Sequence, residues 1–144
     1  MQLSKILAKK GSHVVTIHPD ATVFGLASML TENQIGAVVV SGDDRRILGV
    51  ASERDVARAL ARQKDVYELR VAMVMTSPAT VLTEHDTVDK AMEVMTVNRI
   101  RHIPVIDDGA ELVGIVSIGD LVKWRLDELE SDRSALVDYI TRGN

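Results

Sequence analysis

The sequence predicts an α+β protein in which two β-α-β-β-α repeats pack as a pseudo-two-fold module with flanking terminal helices. The first observation is an internal repeat: residues 15–56 align without gaps with residues 80–121, at an offset of 65, with ten identities over 42 positions. The apolar pattern between the identities repeats as well, so both halves predict the same elements in the same order. The composition agrees, because 144 residues that are 46% apolar and 26% charged are typical of a domain with one buried core.

Each repeat opens with a short strand that leads into an amphipathic helix. The strands are predicted at residues 14–17 and 80–82, where β-branched residues are dense. In each following helix the apolar residues recur at i, i+3, i+4 and i+7, which places them on one face against a sheet. These residues are Val23, Leu26, Ala27 and Leu30 in the first repeat and Val88, Ala91, Met92 and Met95 in the second.

A hairpin and a second helix complete each repeat. Two apolar runs separated by a short segment rich in Gly and Asp are typical of a β-hairpin. The predicted hairpin strands are residues 37–40 and 47–51 in the first repeat and residues 103–106 and 112–116 in the second. The second helix is expected from residue 53 to residue 62, and again from residue 118 onward.

The repeats are expected to form one module that covers residues 1–144. A unit of about 45 residues buries too little apolar surface to be stable alone, so the two copies should pack together. We assign residues 12–62 to the first repeat, residues 76–126 to the second and residues 127–144 to a helical extension. A short amphipathic helix ending at Gly11 precedes the first repeat. The carboxy-terminal helix carries an apolar stripe formed by Val122, Leu126, Leu129, Leu136, Val137 and Ile140.

Composition and charge exclude several classes of function. A net charge of −4 with 3% aromatic residues argues against a nucleic-acid partner. The longest apolar run, residues 35–40, is far below the roughly 18 residues of a membrane span, and no secretory signal is expected. The absence of cysteine excludes thiolate chemistry and agrees with a cytoplasmic location. Neither a metal site, a nucleophilic triad nor a phosphate-binding glycine loop is predicted, so we expect no enzyme.

The motif Gly-x-x-Ser-x-x-Asp occurs twice, at residues 49–55 and 114–120, each time where a strand leads into a helix. One interpretation is a capping box, in which the Ser and Asp side chains satisfy backbone N–H groups at the start of the helix. The other is a nucleotide site. A helix start attracts phosphate, and a nearby carboxylate accepts hydrogen bonds from the two hydroxyls of a ribose. The motif alone leaves both interpretations open.

The doubled pattern, together with the run Arg-His-Ile-Pro-Val-Ile-Asp at residues 101–107, resembles a pair of cystathionine-β-synthase (CBS) domains, the Bateman module. The resemblance covers roughly residues 1–125. It implies a pseudo-two-fold unit with two clefts, assembly into homodimers, and adenosyl ligands such as AMP, ADP, ATP, S-adenosylmethionine or NAD(H). It also implies a regulatory role with no required cofactor.

The resemblance assigns ligand contacts residue by residue. It gives the ribose hydroxyls to Asp55 and Asp120, and phosphate or ribose oxygens to Ser52 and Ser117. The opening strands, with Thr16 and Ile17 in the first repeat and Val81 in the second, are expected to meet the adenine edge. The phosphate-contacting group is Arg101 and His102, which directly precede Ile103 and Pro104.

The repeats differ at these positions. Where the second repeat has Arg101 and His102, the first has Gly36 and Ala37, and Arg54 of the first motif is replaced by Gly119 in the second. We therefore expect the cleft of Asp120, Arg101 and His102 to be the favoured site, with Ser52, Arg54 and Asp55 forming a second one.

The predicted function is a regulatory module that senses cellular energy or redox state by binding an adenine nucleotide. The alternative is a protein-interaction or scaffold module with vestigial clefts, which contacts an unidentified target protein through its carboxy-terminal helix. Neither interpretation involves a membrane.

Overall fold

A computed structural model describes residues 1–11 and 13–143, and it confirms the predicted α+β fold. The predicted first residue of repeat one, Ser12, and the last residue of the extension, Asn144, lie outside the described residues. The elements in chain order are α1 (Leu3–Lys10), β1 (Thr16–Ile17), α2 (Val23–Asn33), β2 (Ala37–Val40), β3 (Gly49–Ser52), α3 (Glu53–Ala61), α4 (Val71–Val74), β4 (Leu82–Thr83), α5 (Val88–Asn98), β5 (His102–Ile106), β6 (Leu112–Ser117) and α6 (Ile118–Arg142).

Each repeat forms its own three-stranded sheet, in the order β1-β2-β3 and β4-β5-β6. The first strand of each sheet runs parallel to the second, and the second pairs antiparallel with the third. The opening strands are shorter than predicted because only two residues of each pair with the central strand. In the hairpins Ala37 pairs with Ser52 and His102 pairs with Ser117. This register places the start of each central strand beside the start of the following helix.

The helices α2 and α5 begin and end alike in the two repeats. The Thr22 hydroxyl accepts a hydrogen bond from the Gly25 N–H at 3.0 Å, and the Thr87 hydroxyl accepts one from the Lys90 N–H at 3.1 Å. Such caps satisfy N–H groups that have no partner within the helix. The apolar faces of both helices are buried against their sheets, as the periodicity predicted.

The two repeats exchange their short leading helices. Leu3, Ile6 and Leu7 of α1, which precedes the first repeat, belong to the core of the second sheet. Conversely, Val71 of α4, which precedes the second repeat, belongs to the core of the first sheet. Because each sheet needs a helix from the other half to cover it, the repeats are expected to fold as one unit.

Gly49 is the position where the exchanged segment approaches β3 most closely. A Cβ atom there would lie 2.6 Å from the Thr76 carbonyl oxygen, which itself accepts a hydrogen bond from the Val50 N–H at 3.0 Å. The backbone cannot move aside without breaking this bridge. We expect Gly49→Ala to lower the free energy of unfolding by roughly 1–3 kcal/mol, measured by urea denaturation.

Gly119→Ala is the matched control for this prediction. Its Cβ would meet only the Ser117 hydroxyl, at 3.6 Å, and alanine is the better helix former. Equal stability losses in the two variants would contradict the proposed close approach at Gly49.

The helix α6 continues through the boundary predicted between repeat and extension. It has 25 residues, and every described residue after Glu128 is exposed. Across residues 1–11 and 13–143, no helix is both long enough and apolar enough to cross a bilayer.

Candidate nucleotide-binding cleft

A cleft of about 150 Å³ lies where the two repeats meet. The first repeat supplies the start of β2, the end of β3 and the first turns of α3. The second supplies the end of α5, the start of β5 and the segment before β4. Its lining residues are Gly36, Ala37, Val50, Ser52, Glu53, Arg54, Asp55, Arg58, Thr76, Ala79, Thr80, Arg99, Ile100, Arg101 and His102.

The cleft is built by the close approach of β2 and β5 at their first residues. The His102 ring lies against Gly36, where a Cβ atom would be only 3.2 Å from the ring carbon Cε1. On the other side of Gly36 its carbonyl accepts a hydrogen bond from the Glu53 N–H at 3.0 Å. Gly36 therefore joins the start of α3 to the start of β5, which brings the first Ser-x-x-Asp motif opposite Arg101.

Asp55 is the buried carboxylate of this cleft. Only 7% of the residue is exposed. Its Oδ2 accepts hydrogen bonds from the Ser52 N–H at 2.8 Å and from the Ser52 hydroxyl at 3.2 Å. Its Oδ1 lies 4.0 Å from an Arg58 nitrogen and accepts no hydrogen bond from the described residues. One carboxylate oxygen thus holds the helix start, and the other is available to a ligand hydroxyl.

Four arginines line the same cleft as this carboxylate: Arg54, Arg58, Arg99 and Arg101. Among the described residues only Arg58 of these four has a carboxylate within 4.0 Å. Guanidinium groups bind phosphate with paired hydrogen bonds. The cleft therefore combines a hydroxyl acceptor with an anion receptor on a protein whose net charge is −4.

The His102 side chain is half-buried at the edge of the cleft. Burial lowers its pKa from the usual value, and the charges of Arg101 and Lys10 lower it further, against the opposing effect of Asp120 and Glu53. A neutral imidazole offers one hydrogen-bond donor and one acceptor to the cleft.

This shift predicts a pH dependence of stability. Below pH 6.5 or so, His102 takes up a proton more readily in the unfolded chain than in the folded one, so the free energy of unfolding falls as the pH decreases. We expect the free energy of unfolding of the His102→Gln variant to change less between about pH 7.5 and about pH 5.5 than that of the native chain, as measured by urea denaturation. The exposed His13 gives the control, His13→Gln. If the free energy of unfolding of the His102→Gln variant depends on pH as steeply as that of the native chain, His102 is not the source of this pH dependence.

The second motif has a different arrangement, because Lys10 of α1 reaches its aspartate. The Lys10 ammonium donates to Asp120 Oδ2 at 2.6 Å and to the Ile115 carbonyl at 2.9 Å. Burial raises the pKa of Asp120, but the hydrogen bonds from Lys10 and from the Ser117 N–H outweigh this effect and hold the pKa below its usual value. The residue 65 positions after Lys10 is Met75, so Asp55 has no equivalent ammonium.

A separate depression of about 140 Å³ lies beside Asp120. It is formed by α1 and α6 and contains the single tryptophan of the chain. Its lining residues are Ile6, Lys9, Lys10, Asp120, Lys123, Trp124 and Asp127.

The sequence predicts that Arg101 and His102 share a cleft with Asp120, whereas in the structure they line a different cleft. Both side chains line the cleft of Asp55, because β5 begins against Gly36 of the other repeat. Only the backbone of Arg101 reaches the second motif, where its carbonyl accepts a hydrogen bond from the Ile118 N–H at 2.8 Å. The structure thus brings together five predicted site residues: Ser52, Arg54, Asp55, Arg101 and His102.

The other predicted residues lie outside this cleft. Ser117 makes the capping contacts with Asp120, and the Thr16 hydroxyl donates to Asp44. The remaining four, which line neither depression, are Ile17, Val81, Ile103 and Pro104; all but Val81 are buried within the sheets.

The sequence analysis missed Arg58, Arg99 and Thr80. Arg58 follows Arg54 by four residues on α3, so helical spacing alone places the two side chains together. Arg99 ends α5 in the left-handed conformation, at φ 53°, and no local pattern pointed to it. Across the described residues no cluster of three or more potential metal ligands occurs.

Known proteins share this fold. The profile of the CBS domain matches residues 8–62 and 70–127, which is most of the chain. The protein belongs to the CBS-domain family. The CBS-domain containing protein ATU1752 from Agrobacterium tumefaciens is 39% identical, with a TM-score of 0.81 over 87% of this chain and 99% of that one.

Two further relatives bear on function and on length. The CBS-domain protein PAE2072 from Pyrobaculum aerophilum, solved as a complex with AMP, is 33% identical, with a TM-score of 0.74 over 83% of this chain and 89% of that one. The mitochondrial CBS domain-containing protein CBSX3 of Arabidopsis thaliana is 36% identical over 129 residues. The match covers 86% of this chain but only 62% of the plant protein.

Proposed function

We propose that this CBS pair is a regulatory module that binds an adenine nucleotide in the cleft of Asp55. The observation that carries the proposal is the buried Asp55 carboxylate, whose Oδ1 accepts no hydrogen bond from the described residues and which lies in a cleft lined by four arginines. Ribose hydroxyls next to phosphate are the chemistry that such a pair recognises. The AMP complex of the Pyrobaculum relative supports the same ligand class.

The proposed roles follow from position in the cleft. Asp55 Oδ1 accepts from the ribose hydroxyls, while Ser52 holds the other oxygen in place. Arg54, Arg99 and Arg101 bind the phosphate, and neutral His102 adds a hydrogen bond. Thr80, which directly precedes Val81 and β4, lines the cleft where backbone groups of the opening segment meet the adenine edge.

Regulation requires that the ligand bind two states of the module unequally. Because the cleft is lined by both repeats, a nucleotide there changes the contact between them. We infer that the signal passes to a target protein, that the module works as a cytoplasmic homodimer, and that it performs no catalysis itself.

Thermal unfolding of ligand-free protein tests the proposal. AMP, ADP, ATP, NAD, NADH, S-adenosylmethionine and GTP are added separately. We expect an adenine compound at about 100 times its Kd to add roughly 2.7 kcal/mol, a rise in Tm on the order of 10 °C, while GTP has little effect. The compound with the largest shift identifies the signal.

No shift with any compound would overturn the proposal. It would favour the alternative of a scaffold with vestigial clefts, for which the specific observation is the exposed apolar stripe on α6. A shift of equal size with GTP would instead show phosphate binding without recognition of adenine.

A further inference from the structure

The last part of α6 extends beyond the packed module. At a rise of about 1.5 Å per residue, the 25 residues of this helix span nearly 40 Å. Leu121 near its start is fully buried, whereas every residue from Leu129 to Gly143 is exposed. We call residues 129–143 the α6 tail. None of its side chains belongs to either core of the described chain.

Five of the six residues in the apolar stripe of α6, all but Val137, lie on a heptad repeat whose remaining position is Arg133. The members of this repeat are separated alternately by four and three residues, the spacing of the d and a positions in a coiled coil. They are Val122 (d), Leu126 (a), Leu129 (d), Arg133 (a), Leu136 (d) and Ile140 (a). The five apolar residues are each exposed by 46% to 63%.

Such a helix needs a partner. A helical segment of about 15 residues without tertiary contacts is marginally stable in water, and a row of exposed leucines adds a cost. The heptad spacing favours another helix with the same repeat as the partner, because knobs-into-holes packing buries the d and a positions of both helices. We propose that the α6 tail forms a parallel, two-stranded coiled coil with the α6 tail of a second copy of this chain.

Charges beside the seam select the parallel orientation. In a parallel pair a residue at g faces the e residue five positions later on the other helix, so Arg125 faces Glu130 of the second copy. Within its own chain Arg125 already pairs with Glu128 and Asp89, and the five N–H donors of a guanidinium allow it a further carboxylate. In an antiparallel pair e faces e and g faces g. That arrangement would bring Glu130 against Glu130, and Asp132 against Asp132.

Arg133 at one a position indicates a two-stranded coil in a single register. A polar residue at an a position costs stability but disfavours shifted registers and higher assemblies. Here the preceding residue, Asp132, supplies a carboxylate that offsets the two facing guanidinium groups. The Leu136 and Ile140 layers then follow the preference for leucine at d and a β-branched residue at a.

Cysteine cross-linking tests the proposal directly, because the chain has no cysteine of its own. Leu136→Cys places a thiol at a d position, where the two copies of a parallel coil meet. We expect oxidation to convert most of this variant to a disulfide-linked dimer on a non-reducing gel. Ser131→Cys, an exposed residue at the outer f position of the same helix, is the control and is expected to stay monomeric.

Two outcomes would overturn the proposal. If Leu136→Cys cross-links no faster than Ser131→Cys, the tails do not pair. If Leu136→Cys cross-links only when mixed with Leu126→Cys, the tails pair antiparallel, because these two positions then share a layer. All three substitutions lie on the exposed side of α6 outside both cores, so circular dichroism of the reduced proteins is expected to show an intact module.

A dimer held by other surfaces of the module does not by itself bring the two Leu136 side chains together. The cross-link therefore reports on the α6 tail, whatever the rest of the module does. The result is also independent of nucleotide binding, because no residue of the α6 tail lines the cleft of Asp55.

Discussion

The Asp55→Ala variant is expected to bind AMP at least about 100-fold more weakly than the native chain. A hydrogen bond to a charged group contributes roughly 1.5–3 kcal/mol, and the variant removes the proposed acceptor of both ribose hydroxyls. It also leaves the Ser52 N–H without its carboxylate partner, so a loss of roughly 1 kcal/mol in unfolding free energy is expected as well. Isothermal titration calorimetry measures the first effect and urea denaturation the second.

Asp120→Ala is the matched control, because Asp120 occupies the same place in the second motif. It accepts a hydrogen bond from the Ser117 N–H at 2.8 Å, as Asp55 does from Ser52. We expect a comparable loss of stability and an unchanged Kd for AMP. If both variants lose stability and keep their affinity, the two motifs are capping boxes only. If Asp120→Ala is the variant that loses affinity, the nucleotide binds in the other cleft.

Local patterns were enough to predict most of the fold. The helical periodicity of α2 and α5 and the paired apolar runs of the hairpins depend on residues close in sequence. Because the chain repeats at an offset of 65 residues, each of these elements was predicted independently in both halves. The Ser-x-x-Asp motifs were predicted correctly at the starts of α3 and α6, because capping is also a local property.

The grouping of the site residues required contacts that no local pattern contains. Arg101 and Asp120 both belong to motifs of the second repeat, which favoured placing them in one cleft. The structure instead places the Arg101 side chain with Asp55, because β5 starts against Gly36 across the interface of the repeats. The contact of Lys10 with Asp120 was missed for the same reason, since it depends on the packing of α1 against the second sheet.

That contact makes the two clefts unequal. Lys10 donates to Asp120 Oδ2, the oxygen that also accepts from the Ser117 N–H, and to the Ile115 carbonyl, so its ammonium is paired with the carboxylate that a ribose in this cleft would contact. The second cleft also lacks the arginines of the first. At an offset of 65 residues, Arg54, Arg99 and Arg101 correspond to Gly119, Gln34 and Gly36. The lining of the second cleft has three lysines instead, and two of them, Lys9 and Lys10, pair with Asp127 and Asp120.

The Lys10→Met variant is accordingly expected to bind two molecules of adenosine per chain, where the native chain binds one. Methionine is the residue at the equivalent position, Met75, so the substitution gives the second motif the residue type that the first has at this position. Loss of the ammonium is also expected to raise the pKa of Asp120, which carbon-detected NMR of the carboxyl group can follow. Calorimetry gives the stoichiometry.

The fluorescence of Trp124 tells which cleft has filled, because this single tryptophan lines the depression beside Lys10 and Asp120 and not the cleft of Asp55. We expect adenosine to change its emission in Lys10→Met but not in the native chain. Lys9→Met is the control, since Lys9 is exposed and lies 3.9 Å from Asp127. A stoichiometry that stays at one would show that Lys10 is not what closes the second cleft. If the native chain binds two AMP molecules and Lys10→Met only one, Lys10 is a phosphate ligand and the order of the two sites is reversed.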